Sequence, residues 1–190
     1  MTLDSFADDH HEDVRRIYET SFPESVRAHW DEISHPRDDE ELLVLVDDGP
    51  VGFALLRHLG DTAYTFVRYF AVDDLQRGQG HGSRLLTDVR RHLEARGCTA
   101  LLLDVEDPRT DPSHADDDRR RIAFYERHGL SLLPVPDYAP PDHGSTGDQV
   151  PLLLMGMPLR EGTPLEGERL ADCVRAVYRY RYGVDGPVTR

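Results

Sequence analysis

The apolar positions of this chain change period several times, and each change marks a predicted element. Residues 11–22, HEDVRRIYETSF, place Val14, Ile17, Tyr18 and Phe22 at helical spacing, so a first helix is predicted there, stopped or bent by Pro23. Residues 24–34 predict a second, short helix carrying Trp30. The pattern then becomes that of extended chain. Residues 42–47 (LLVLVD) and 51–58 (VGFALLRH) read as strands joined by the turn Asp48-Gly49-Pro50. After Gly60-Asp61, residues 63–72 (AYTFVRYFAV) have the aromatic and β-branched content of a long buried strand. Helical period returns from Ser83 to Arg96, with Leu85, Leu86, Val89 and Leu93 on one face and Gly97 as the stop. Residues 99–106 (TALLLDVE) form another strand, 107–118 a polar loop, and 119–128 a helix closed by Gly129. Strands near 130–135 and 150–157 flank a Pro/Gly/Asp-rich loop, and Met155 and Met157 alternate with Leu154 as core. A final helix is predicted at 166–182, with Leu170, Cys173, Val174, Val177 and Tyr178 on one face.

Helices, an antiparallel meander and a strand–helix–strand–helix–strand passage make a mixed α/β sheet without internal repeats. The stripe on the last helix must cover apolar surface, its own domain's or that of a second copy, so monomer and homodimer both stay open. With 190 residues, 38% hydrophobic and 31% charged, the chain has the composition of a globular protein. No apolar run is long enough to span a bilayer, and the acidic N-terminus does not read as a secretory signal, so no membrane partner is expected. Two cysteines, Cys98 and Cys173, give neither a disulfide framework nor a CxxC pair, which fits a reducing cytoplasm. The net charge of −14 argues against nucleic acid and favours cationic small molecules such as amines. Every basic residue is an arginine. The run Asp116–Asp118 and the pair His10-His11 read as solvated surface, and no metal is expected.

One stretch carries chemistry. Residues 75–86, LQRGQGHGSRLL, set glycines at 78, 80 and 82 between a strand and a helix. A P-loop would need a lysine, and a dinucleotide fingerprint a third glycine where Ser83 stands. A hydrolase elbow is absent as well. What fits is a pyrophosphate cradle. Bare glycines let a diphosphate reach backbone N–H groups, the helix start adds unpaired donors, and Arg77 adds a full charge. His81 reads equally as a phosphate contact and as a turn residue.

Arg77-Gly78-Gln79-Gly80-His81-Gly82 resembles the R/Q-x-x-G-x-G/A acyl-coenzyme A motif of the GNAT N-acetyltransferases. Ile122-Ala123-Phe124-Tyr125-Glu126-Arg127-His128-Gly129-Leu130 looks like that family's F/L-Y-x-x-x-G-F segment, and Ser21-Phe22-Pro23-Glu24 is like many members between their first two helices. The likeness covers roughly residues 2–158. It implies a GNAT-like, mostly antiparallel sheet flanked by helices over 1–160, with an added C-terminal helical extension over 161–190.

The resemblance also implies a reaction: acetyl transfer from acetyl-CoA to a primary amine, in a small molecule or a protein, by direct attack. A non-catalytic coenzyme A-binding module is the alternative, and nothing in the sequence fixes acyl length. By the resemblance, a backbone N–H at Phe70, Ala71 or Val72 polarises the thioester carbonyl. The N–H groups of Gln79, Gly80, His81, Gly82 and Ser83 hold the pyrophosphate. Tyr125 aligns with the general acid that serves the leaving sulfur, a role that suits a phenol protonated at neutral pH. Strand parity puts Leu102, Asp104 and Glu106 on one face, which makes Glu106 the first candidate base, ahead of Asp104 and then Glu24. Glu106 reads equally as a loop-edge partner of one of Arg119–Arg121. Three features depart from the family's pattern: Asp118 and Arg121 occupy positions where many members have Asn and a small residue, the connection holding Asp107–Asp118 is longer than usual, and Arg68 stands where many place an acid. The loop Pro136–Gln149 is expected to border the acceptor site, with Tyr138 as a candidate contact.

Overall fold

The computed structural model describes residues 1–24, 27–141 and 152–185. Seven strands form one sheet: β1 (Thr2–Ser5), β2 (Glu40–Val46), β3 (Pro50–His58), β4 (Tyr64–Val72), β5 (Ala100–Glu106), β6 (Ser131–Leu132) and β7 (Leu152–Pro158). Their order is β1-β2-β3-β4-β5-β7-β6, and only the β4–β5 pair is parallel. Five helices flank it: α1 (His11–Ser21), α2 (Trp30–Ser34), α3 (His81–Ala95), α4 (Ala115–Arg127) and α5 (Gly167–Ala176). The mixed, mostly antiparallel sheet predicted from the sequence is thus present.

Side-chain parity sorts the helices. Leu43, Leu45, Ala54, Leu56, Val67, Leu101 and Leu103 face α3 and α4. Leu42, Val44, Phe53 and Leu55 face α1 and α2 on the opposite side. Phe66, Ala100, Leu102 and Leu154 face α5 on that same side. The predicted apolar stripe of the last helix covers its own sheet: Cys173, Val174, Val177 and Tyr178 are all buried. After Ala176 the chain continues as a π-helical turn, Val177–Arg181, anchored by Tyr180. A Cβ at Gly60 would lie 2.3 Å from that ring, so only glycine permits the contact.

Several boundaries differ from expectation for physical reasons. Strand β1 reads TLDS, with a single core-type residue and no alternation to detect. Helix α2 starts only at Trp30, because the preceding backbone is taken by side chains. Tyr18 donates to the Ala28 carbonyl (3.0 Å), and the Ala28 N–H donates to the Tyr69 hydroxyl (3.0 Å). Helix α4 begins four residues early, so Asp116–Asp118 form its first turn, where carboxylates complement the helix dipole. Asp118 is buried there rather than solvated, and burial raises its carboxyl. His11 likewise is not a free surface group: its Nε2 accepts from Trp30 Nε1 at 2.9 Å. Strand β6 has two residues, since Pro134 has no N–H to continue the ladder. Part of the predicted 150–157 strand and of the 136–149 loop lies outside the described residues.

Candidate active site

The parallel β4–β5 pairing lasts four residues, from Tyr64↔Ala100 to Val67↔Leu103. At that point Arg68 forms a bulge: Leu56 pairs with Val67 but Leu55 pairs with Tyr69. A bulge bends its strand and raises the local twist. Beyond it β4 stays with β3 and β5 stays with β7, so the sheet splays into a slot.

Among the described residues, the slot's β4 edge has N–H donors that no neighbouring strand pairs. The Asp73 N–H donates to the Val51 carbonyl at 2.9 Å. In antiparallel pairing hydrogen-bonded pairs alternate, so Ala71↔Phe53 and Tyr69↔Leu55 are also bonded pairs. The N–H groups of Phe70 and Val72 therefore point away from β3, toward the slot. Ala71 is the exception within the predicted trio: its amide is turned to β3 and its side chain is buried on the α1 face.

On the α3 face the chain turns through Arg77–Gly80 into α3. Gly78 and Gly80 have φ of +79° and +86°, and a Cβ at either would meet nothing within 4 Å. The left-handed conformation demands glycine, and the space over it is open. The first intrahelical acceptor is the Gly80 carbonyl, bonded by the Arg84 N–H at 3.0 Å, so the amides ahead of Arg84 are unpaired within the helix. The first turn of α3 carries no acid, unlike those of α1 and α4. Arg77 is exposed beside it. The His81 side chain is buried with Nδ1 unpartnered, so at this residue only the amide faces the turn's opening. The Gln79 side chain instead bonds Gln76 at 3.1 Å. These residues fit a diphosphate: open backbone donors, a helix dipole and one exposed cation.

Tyr125 closes the same face. It is buried against Phe124 (5.2 Å between rings) and Phe70 (6.1 Å), and Phe124 lies against Gly82. Burial pushes its phenol up to about 12, with Arg121 opposing and Glu106 reinforcing. Among the described residues its hydroxyl has no hydrogen-bond partner.

The opposite face of the slot opens into a cavity of about 920 Å³. It contains Asp104 and Glu106, as strand parity predicted, and also Glu24. Glu106 is exposed and its carboxylate is engaged by Arg121. Asp104 is more enclosed: burial raises its carboxyl to about 6, although Tyr182 and Tyr138 (2.7 Å) each donate to one of its oxygens. Tyr138 is thus behind Asp104, not a wall of the cavity. Arg68 is held by the fully buried Glu40 carboxylate at 2.6 Å, which explains a cation at this strand position.

The sequence reading did not include the C-terminal wall of this cavity. Arg179, Tyr180, Arg181 and Tyr182 all line it. The signal was present as RYRY directly after the apolar stripe, too polar for the end of a buried helix. The 161–190 segment reads from sequence as a C-terminal helical extension, and residues 179–182 of it line this candidate cavity.

Comparison with known proteins agrees with this architecture. The model of the acetyltransferase (GNAT) family matches residues 11–130. A GNAT-family protein from Bacteroides thetaiotaomicron superposes with a TM-score of 0.77 at 23% identity, covering 97% of this chain and 99% of its own. The ribosomal-protein-S18-alanine N-acetyltransferase of Escherichia coli gives 0.61 at 20% identity over 86% of this chain and 98% of its own. The aminoglycoside 6'-N-acetyltransferase of Enterococcus faecium gives 0.61 at 21% identity over 86% and 100%. No curated protein sequence matches. The chain belongs to the GNAT acetyltransferase family and is an acyltransferase.

Proposed function

We propose that the protein transfers acetyl from acetyl-CoA to a primary amine. The observation that carries this reading is the slot between β4 and β5. One face of the sheet offers backbone donors for a diphosphate, the other a partly open cavity lined by charged side chains, and between them lie two amides that are unpaired among the described residues. In this reading the amides of Gln79–Ser83, with Arg77, hold the coenzyme's pyrophosphate. The Phe70 and Val72 N–H groups receive the negative charge that grows on the thioester oxygen. The amine enters from the cavity as an ammonium and must lose two protons in all. A cavity carboxylate, Glu106 or Asp104, or water takes the first. The neutral nitrogen then forms the C–N bond as the C–S bond breaks. The second proton leaves the nitrogen for solvent, while the leaving sulfur takes one from Tyr125, whose raised phenol is protonated at neutral pH and is restored from solvent. Two thiols without a disulfide, Cys98 and Cys173, support a cytoplasmic setting.

The test is thiol release from acetyl-CoA over a panel of amines, with mass spectrometry of the product. Amine-dependent release with an N-acetylated product supports the reading. Release that no amine stimulates would sink it.

A further inference from the structure

Resting on that acceptor reading, we infer that the amine substrate also carries a carboxylate, seated between Arg181 and Arg68, so that acceptors belong to the amino-acid class.

Arg181 ends the π-helical turn and reaches the cavity from the C-terminal wall. Its guanidinium lies over the rings of Tyr182 (5.0 Å) and Phe66 (5.7 Å). Its Nε is buried and unpartnered, and among the described residues no carboxylate lies within ion-pair distance. Arg68 enters from the strand bulge with its side chain 7% exposed. Its terminal nitrogen is held by Glu40, but its Nε is also buried and unpartnered. Two guanidiniums thus line one cavity, each with an Nε withdrawn from water and, among the described residues, without an acceptor. Such donors cost free energy until an acceptor arrives.

Among the described residues no carboxylate bonds Arg181: Asp104 accepts one tyrosine hydroxyl on each oxygen without reaching that guanidinium, and Glu40 is held by Arg68 and Arg57. Burial pushes the Arg181 guanidinium down from its usual value; Tyr182 and Asp104 oppose this, while the charge of Arg68 adds to it, and an anion between the two arginines would offset that repulsion. A guanidinium presents parallel N–H donors that match a planar carboxylate. Five carboxylates and six arginines line the cavity, which suits a guest that carries both signs of charge, as an amino acid does. With its carboxylate at the arginines, such a guest keeps its amine within the cavity that also holds Asp104 and Glu106.

The experiment compares matched acceptors: glycine, alanine, phenylalanine and glutamate against their α-methyl esters and the corresponding decarboxylated amines. Thiol release should favour the free acids by roughly 10- to 100-fold in kcat/KM, the scale of hydrogen bonds to a charged group. Arg181→Gln should raise KM for the acids and bring acid and ester to within a few-fold of each other. A binding arm needs no turnover: N-acetylated amino acids should raise the melting temperature of the wild-type protein, and their methyl esters should not. Esters and simple amines used as well as the acids would overturn the proposal while leaving acetyl transfer standing. If no amine reacts at all, acetyl transfer fails, and the melting shifts alone decide the carboxylate site. If Arg181→Gln does not fold, the wild-type comparisons decide.

Discussion

At the mouth of α3 six consecutive residues, Arg77–Gly82, shape one surface out of backbone. Across the sheet the cavity draws its walls from the α1–α2 connection, the ends of β4 and β5, and the turn after α5. The first region depends on bare amides and positive φ, the second on charged side chains brought together from more than a hundred residues apart. The two respond differently to change. Backbone donors cannot be removed by ordinary substitution, only obstructed. Side-chain donors can be removed one at a time, and each removal leaves a buried partner. Evolution can therefore retune the cavity while the cradle stays fixed, which fits a family whose members share a fold and differ in acceptor.

The largest expected effect falls where the two regions meet. Tyr125→Phe keeps the ring against Phe70 and Phe124 and removes only the hydroxyl. Turnover should fall by about 10²–10⁴-fold if the phenol serves the leaving sulfur. Coenzyme affinity should hardly change, since neither the cradle nor the slot amides are touched. Steady-state kinetics with calorimetry checks this, and near-wild-type turnover across pH would leave Tyr125 a packing residue.

Gly80→Val breaks the comparison on the cradle side alone. A Val side chain at φ +86° is strained and projects into open space over the turn. Acetyl-CoA affinity should drop by about 10²-fold, the loss of one or two charge-assisted hydrogen bonds. The melting response to N-acetylated amino acids should persist, because the cavity lies on the other face. Unchanged coenzyme affinity in a folded variant would place the diphosphate elsewhere.

The same contrast explains what was legible in the sequence. The cradle is local: three glycines, an arginine and a helix start stand side by side, so spacing alone described it. Tyr125 and the Asp104/Glu106 parity were also local, since helix and strand periods fix which residues share a face. The sheet followed from alternation, except at β1, whose TLDS has almost no apolar signal. Nothing local announced that Arg181 and Tyr182 would fold back over Asp104. Nor could the sequence show that Arg68 would find Glu40, because that contact crosses β3 and needs the tertiary register. The amide of Ala71 was misplaced for a related reason, since donor direction is set by which partner residues alternate.

Asp104 sharpens the cavity side. Its carboxyl is raised from the ordinary 3.8 to about 6, with Tyr138, Tyr182, Arg181 and Glu106 as the titratable or charged neighbours. The folded chain therefore holds this proton more tightly than the unfolded one. Its contribution to stability is full below pH 3.8 and is lost as pH rises through about 6, a change of up to about 3 kcal/mol. Asp104→Asn keeps the shape and can still pair with both tyrosines, one as donor and one as acceptor. Denaturant unfolding at pH 4, 5, 6 and 7 should show wild type losing stability relative to the variant across that window. Parallel curves would mean that Asp104 stays ionised in the folded chain throughout.

The smallest effect is expected at Glu106, which lines the cavity and pairs with Arg121. Its partner Arg121 is on α4, one turn before Tyr125, and both side chains of the pair are nearly half exposed. Exposed pairs of this kind contribute about 0–1 kcal/mol, so Glu106→Gln should leave the melting temperature almost unchanged. Its catalytic effect should be under about tenfold at neutral pH, because water reaches the same proton, and should grow as pH falls and more of the amine is protonated. A less basic acceptor should recover part of the loss, since it gives up its proton more readily. The measurement is kcat/KM against pH for wild type and variant with two acceptors of different basicity. A profile that superimposes on wild type with both would make Glu106 a surface partner of Arg121, and would leave the first proton to Asp104 or to water.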